Sequence, residues 1–264
     1  MMLTGVLKVA AAAAVLWVAA APLAQAESLD DIQSTRKVRI AVAMGVPLFA
    51  FVDDKLQPTG SDVETAKMIA KDLGAELELV QITNAARVPT IQTHKADFLV
   101  ADLAITEERK KAVDFTVPYA TLNIEVAAPA GVAIKDYADL AGKRIGVTRA
   151  TVNDTLVTQN AKDAEIVRFE DDATLITAAV SGQVDIVSTQ NAVVDEMNKA
   201  RSDKLEIKFV QKELNLGIAL PKGEPKLKAW LDDWIRKHFA DGSLNATFKK
   251  FQNRDLPADL VNRQ

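Results

Sequence analysis

Arginines, carboxylates and hydroxyls next to short apolar runs are the groups in this chain that can do chemistry, and Arg109 comes first. Residues 98–101 are an apolar run of buried-strand type, Thr106 is a helix N-cap by type, and Glu107 and Glu108 make the acidic first turn that a cap favours. Arg109 follows one turn in. A guanidinium placed after a buried strand and a polar turn suits holding a small carboxylate. Its other use is an exposed ion pair with Glu107 or Glu108. His94, in a polar turn, and His238, on the charged side of a helix, read as solvated. With two histidines and no cysteine, and no metal-ligand cluster, phosphate-binding glycine loop or Ser–His–Asp order, the chain offers little material for metal or general-base catalysis. No metal and no cofactor are expected.

The elements that must position these groups alternate strand and helix. Residues 38–43 read as a strand. Gly60-Ser61-Asp62 opens a helix with Val63, Ala66, Ile69, Ala70 and Leu73 at helical spacing, and Gly74 ends it. A strand over 75–81, a short helix over 88–93 and the strand 98–101 follow. After Tyr119 the same grammar restarts: strand 144–148, helix 151–160, strand 165–169, helix 172–181, strand 184–188, helix 191–199. Such alternation predicts an α/β fold, with mostly parallel sheets flanked by helices. Residues 122–129 are extended and poor in turn residues, which suits a connecting strand. Residues 208–220 read as two extended pieces, and 225–240 as an amphipathic helix with Leu227, Trp230, Leu231, Trp234 and Ile235 on one stripe.

Lys8 is the only charge before Glu27, residues 9–21 are an unbroken apolar run, and Ala24-Gln25-Ala26 is a small-x-small cleavage site. Together they predict a secretory signal over 1–26, too short in its apolar core for a span of ~20 residues. Without cysteine there is no lipid acceptor, so the expected product is a free periplasmic protein and not a lipoprotein. Cleavage leaves 238 residues and moves the formal net charge from −4 to −5, enough chain for two lobes of ~100 residues. The acidic balance argues against nucleic acid as a partner.

The segment TEERKKAVDFTVPY around Arg109 resembles the signature of the bacterial extracellular solute-binding proteins, family 3, the periplasmic receptors of polar amino-acid importers. DLAGKRIGVTRATVND, GQVD at 182–185 and NAARVPTIQ at 84–92 add to the resemblance, which covers residues 38 to about 251. It implies a two-lobed periplasmic-binding-protein fold of type II with two hinge strands. Lobe one would be 27–122 plus 215–264, lobe two 127–210, and the hinge crossings 123–126 and 211–214.

The resemblance also implies a monomeric receptor that closes on a small anionic or zwitterionic ligand and presents it to an inner-membrane ABC permease. Arg109 would grip the ligand carboxylate. The positions seven and five places earlier are Asp102 and Ala104, so the usual hydroxyl is missing and a carboxylate has appeared. Thr148, Thr151 and Val152 would line the lobe-two turn, where Ala150 replaces the usual glycine. The aspartate that normally pairs the α-ammonium is Gln190 here. Asp102 supplies that charge from the opposite lobe, or the ligand has no ammonium, or Asp102 caps a turn or pairs with Arg109.

Arg87 reaches a second carboxylate, as in binders of acidic amino acids, or is paired structurally at a helix start. The usual aromatic stacking positions are Val46 and Asn84, which disfavours a large aromatic ligand, and Phe49 and Phe51 belong to the ligand wall or to the core. Two other functions compete with transport. One is an accessory or sensory protein with a degenerate pocket. The other is a dehydratase like the cyclohexadienyl dehydratases, whose acid position is Val193 here.

Overall fold

A computed structural model describes residues 28–263. The expected export signal, residues 1–26, lies outside the described residues. In chain order the elements are α1 (Ser28–Thr35), β1 (Lys37–Ala43), β2 (Phe51–Val52), β3 (Pro58–Thr59), α2 (Ser61–Leu73), β4 (Glu76–Ile82), α3 (Arg87–Gln92), β5 (Phe98–Leu99), α4 (Glu107–Lys110) and β6 (Asp114–Pro129). The chain continues with β7 (Arg144–Thr148), α5 (Val152–Asn160), β8 (Glu165–Phe169), α6 (Asp172–Val180), β9 (Ile186–Gln190), α7 (Asn191–Ala200), β10 (Leu205–Leu220), α8 (Pro225–Ala240) and α9 (Ser243–Gln252). No helix among the described residues is long and apolar enough to cross a membrane.

Eight strands form one sheet in the order β4-β1-β5-β10-β6-β9-β7-β8. At one end β1 runs parallel to β4 and β5, and at the other β7 runs parallel to β8 and β9. Between them the two 16-residue strands β6 and β10 pair antiparallel and carry the chain from one lobe to the other. The apolar residues separate accordingly. The largest cluster joins residues of the first part of the chain, from Leu29 to Ile124, with Leu214 to Leu260 from the last. Two smaller clusters lie within 126–209, one on each face of the second lobe's strands. On α8, Leu227, Leu231, Trp234 and Ile235 are buried while Trp230 is only partly covered; each fully buried side chain of this size contributes about 1.5–3 kcal/mol.

Helix α2 starts where it does because of Gly60. At φ 122° an added Cβ would lie 2.2 Å from the Phe49 carbonyl oxygen, so no other residue fits without moving the backbone. The first amides of the helix are satisfied by main chain, Ser61 N–H donating to Leu48 O and Asp62 N–H to Phe49 O, both at 2.9 Å.

Several expected elements shift. Residues 208–220 are part of one strand, Leu205–Leu220, whose pairing with β6 changes register at Ile207/Phe209, Val210/Lys212, Leu216/Gly217 and Gly217/Ala219. The connecting strand starts earlier than 122, at Asp114, because β10 pairs it from there and Asp232 Oδ1 accepts the Val117 N–H at 2.7 Å. Strand β9 starts at Ile186 and not 184, since the amides of Gln183 and Val184 still turn back to Ala178 O.

Candidate functional site

Two loops of the first lobe, after β4 and after β5, meet the ends of β7, β8 and β9 of the second around a narrow pocket, with Leu122, Ile124 and Leu214 of the crossing strands at its base. All nine residues singled out from the sequence line it: Asn84, Arg87, Asp102, Ala104 and Arg109 from the first lobe, and Thr148, Thr151, Val152 and Gln190 from the second. No aromatic side chain lines it among the described residues. Val46 and Phe49 are core, at 0% and 1% exposure, and Phe51 packs edge-on against Phe251 with ring centroids 6.4 Å apart.

Arg109 stands in the first turn of α4, where its amide donates to the N-cap hydroxyl of Thr106 at 3.2 Å. Its Nη1 donates to Ala104 O at 2.9 Å, which aims the guanidinium, and its Nη2 donates to Ala150 O of the second lobe at 3.0 Å. It makes no ion pair with Glu107 or Glu108; those pair with Lys110 and Lys111. Burial and the neighbouring cation Arg87 push the Arg109 pKa down to about 9, while Asp102 opposes the shift.

Arg87 is 3% exposed and faces the cavity, with two of its three nitrogens, Nε and Nη1, engaged by main chain. Nε donates to Asn84 O at 2.9 Å, and Nη1 to Asp102 O at 2.8 Å and Ala101 O at 3.3 Å. The residue therefore ties the loop after β5 to the loop before α3. Asp102 sits in that loop at φ 49°, a left-handed conformation that aspartate tolerates better than most side chains. Its carbonyl accepts Arg87 Nη1. Its carboxylate Oδ2 accepts Gln190 Nε2 from the second lobe at 3.1 Å, and Oδ1 is buried without a partner. Burial holds this carboxyl well above the usual range, with Arg87 pulling the other way.

On the opposite wall Ala150 takes φ 58°, which explains why a glycine suits this turn and shows that alanine is accommodated with strain. Thr151 caps α5, accepting the Asp154 amide at 3.2 Å, and its hydroxyl donates to Thr148 O at 2.6 Å. Val152 packs against the first lobe's core cluster, so the lobes touch through apolar contact as well.

Seven lining residues were missed in the sequence, among them the polar Asn153, Ser188 and Thr189, and Asp172 is the charged one. It accepts the Thr148 hydroxyl at 2.5 Å and Asn84 Nδ2 from the first lobe at 3.3 Å. The signal was the Asp171-Asp172 doublet at a helix start. Asp171 is the N-cap and forms a capping box with Thr174, leaving the second aspartate without a capping role. Behind the cavity Asp62 is fully buried, accepting the Tyr119 hydroxyl at 2.8 Å, and that hydroxyl accepts the Asp102 amide at 3.3 Å. Burial raises Asp62 to about 7.

His94 is exposed, as expected, but His238 is not on a solvated face. It stacks on Trp234 with ring centroids 4.3 Å apart and lies 2.7 Å from Asp72 Oδ2 and 2.6 Å from Ser243 Oγ. A serine, a histidine and an aspartate thus meet after all. Ser243 Oγ also donates to Asp241 at 2.6 Å, and Asp72 also accepts the Trp234 indole at 2.8 Å, so the group staples α2, α8 and α9 far from the cavity. Val193, the position of a dehydratase acid, is buried in a second-lobe core cluster. No group of three or more metal-ligating side chains occurs among the described residues.

Residues 38–254 match the family described as bacterial extracellular solute-binding proteins, family 3. The ABC transporter glutamine-binding protein GlnH of Bacillus subtilis is 30% identical over 239 residues, 88% of this chain and 87% of that protein. The L-cystine-binding protein TcyJ of Escherichia coli K12 is 27% identical, over 86% and 87% of the two chains. The crystal structure of the ancestral amino acid-binding protein AncCDT-1, a precursor of cyclohexadienyl dehydratase, is similar with a TM-score of 0.78 and 30% identity, covering 85% of this chain and 99% of its own. The architecture is the two-lobed type II periplasmic-binding-protein fold, and the chain belongs to the bacterial extracellular solute-binding proteins, family 3.

Proposed function

We propose that the chain, exported by residues 1–26, is a monomeric periplasmic receptor of an ABC importer. It closes on one small amino acid and presents the closed form to the inner-membrane permease. The hinge lies at 123–126 and 211–214, between a first lobe of 27–122 plus 215–264 and a second of 127–210. The observation that carries the reading is the pair of charges on one wall. Arg109 is aimed into the cavity by Ala104 O, and Asp102 keeps a buried carboxylate oxygen without a partner. A ligand carboxylate replaces the Ala150 carbonyl on Arg109 Nη2, and its ammonium takes Asp102 Oδ1.

The lining charges, Arg87 and Arg109 against Asp102 and Asp172, balance, which supports a zwitterion over a dianion. Arg87 is held by three main-chain carbonyls through Nε and Nη1, and in this reading its task is to position Asp102. Gln190 donates to Asp102 and keeps that carboxylate facing the ligand. Closure draws an existing closed state into the majority because only that state contacts the ligand from both lobes.

Thermal melting against amino acids and matched acids lacking the amino group tests this, since a ligand bound only by the folded protein raises the transition. Amino acids raise it and the amine-free acids do not. Shifts with amine-free acids alone remove Asp102 as the ammonium partner, and silence across the panel favours an accessory protein with a degenerate pocket.

A further inference from the structure

If Arg109 and Asp102 hold the main-chain groups of an amino acid, as proposed above, its side chain points at a second wall. We propose that Asn84, Thr148 and Asp172 form the side-chain subsite and select amino acids whose side chains end in a nitrogen donor, an amide or a cationic amine. The inference rests on the receptor reading and narrows its ligand class.

The wall's two donors, the Thr148 hydroxyl and the Asn84 amide nitrogen, are both spent on Asp172, so acceptors are what it offers a ligand. Asp172 is 4% exposed and has no salt-bridge partner among the described residues. Its two oxygens receive one hydroxyl, from Thr148, and one long bond of 3.3 Å from the Asn84 amide. That contact with a carboxylate fixes which end of the Asn84 amide is nitrogen. The other end, Asn84 Oδ1, is buried with no partner. The nearby cation Arg87 does not donate to that oxygen: its Nε and Nη1 bind main-chain carbonyls, including that of Asn84 itself, and its charge offsets part of that of Asp172.

Each kind of side chain meets this wall differently. A carboxylate end faces Asp172 and an unpaired carbonyl oxygen, which repels it. An apolar end leaves Asn84 Oδ1 dry and unpaired and adds no donor to Asp172, which costs affinity. A terminal NH₂ or NH₃⁺ satisfies Asn84 Oδ1 and Asp172 together. The room is short as well as polar. A Cβ placed on Gly45 would lie 3.4 Å from that of Ala173, the residue after Asp172, so the lobes meet just beyond the wall.

Calorimetric titration of the protein with glutamine, ornithine, norvaline and glutamate tests the subsite. Glutamine and ornithine are expected to bind at least ~10-fold more tightly than norvaline, and glutamate no more tightly than norvaline. In Asp172→Asn the advantage of ornithine falls to within about threefold of norvaline. Asn84→Ala, which leaves Asp172 in place, lowers the advantage of glutamine in the same way and covers the case that Asp172→Asn folds poorly. Norvaline or glutamate matching the nitrogen-ended ligands, or variants that keep the wild-type ratios, overturns the subsite and leaves the receptor standing. Failure of all four to bind overturns the receptor reading and the subsite with it.

Discussion

The two walls of the cleft are built on different principles. On the first lobe, charged side chains are anchored to their own main chain: Arg87 to the carbonyls of Asn84, Ala101 and Asp102, and Arg109 to that of Ala104. On the second lobe the contacts are hydroxyls and amides linked to one another, Thr148 to Asp172, Thr151 to Thr148 O, and Asn153 to Ser188 at 3.4 Å. Charges held rigidly cost nothing further to orient when a ligand arrives. On the second wall Asp172 is the one charge, and neutral groups make the remaining contacts once the walls meet. The difference assigns capture to the first lobe and closure to the second.

Removing the anchored cation breaks this division most severely. Arg109→Ala is expected to weaken amino-acid binding by ~30-fold or more, from about 2–5 kcal/mol for a desolvated charge pair, with melting of the ligand-free protein nearly unchanged. Wild-type affinity by calorimetry would remove Arg109 from the site. Moving a charge to the other wall sharpens the contrast. Gln190→Asp sets a second carboxylate against Asp102 in place of a 3.1 Å hydrogen bond, so the pair must share a proton. The ligand-free protein should lose about 1–3 kcal/mol, while the rise in melting temperature on adding an amino acid should grow. An unchanged baseline would mean that the cleft opens freely without ligand.

Asp62 supports the first wall from behind, and its effect is one of pH. Burial raises its pKa to about 7 from a usual 3.8. Below about pH 4 the group is protonated in both folded and unfolded protein. Between about 4 and 7 the folded protein keeps a proton that the unfolded chain has lost, so this contribution to stability falls as pH rises. Asp62→Asn, which keeps an acceptor for Tyr119, should therefore gain on the wild type from pH 4.5 to pH 8. Asp102 and Asp172 are also raised, so the slope shrinks without vanishing. Parallel slopes in the two proteins would contradict it. The smallest effect belongs to the second wall: Thr151→Ala removes the cap of α5 and should cost about 1 kcal/mol in melting, with a far smaller change in affinity than Arg109→Ala.

Much of the fold was legible because its signals are local. The strands at 144–148 and 165–169 and the helix at 225–240 have the expected bounds, each set by apolar period and flanking breakers. The strand β10 was read as two pieces because every register shift along it inverts which face the next residue takes, so its alternation looks broken. In the cavity, the Arg109 motif led directly to Asp102 and Ala104. Asp172 was hidden because an acid at a helix start is already explained by capping. Burial of His238 depends on packing of α8 and α9 against α2, whose Asp72 lies 166 positions away in the chain and leaves no mark in the sequence around the histidine.

The divided origin of the first lobe's core has a consequence for the order of assembly. The second lobe's clusters draw on one continuous stretch within 126–209 and can close as soon as that stretch is available. The first lobe must wait. Its strand β5 has β1 on one side but gains its other neighbour only at Ala219, and its core lacks Leu227, Trp234 and Phe248 until the last fifty residues arrive. A chain emerging from its N-terminus thus carries an unfinished first lobe almost to the end of synthesis.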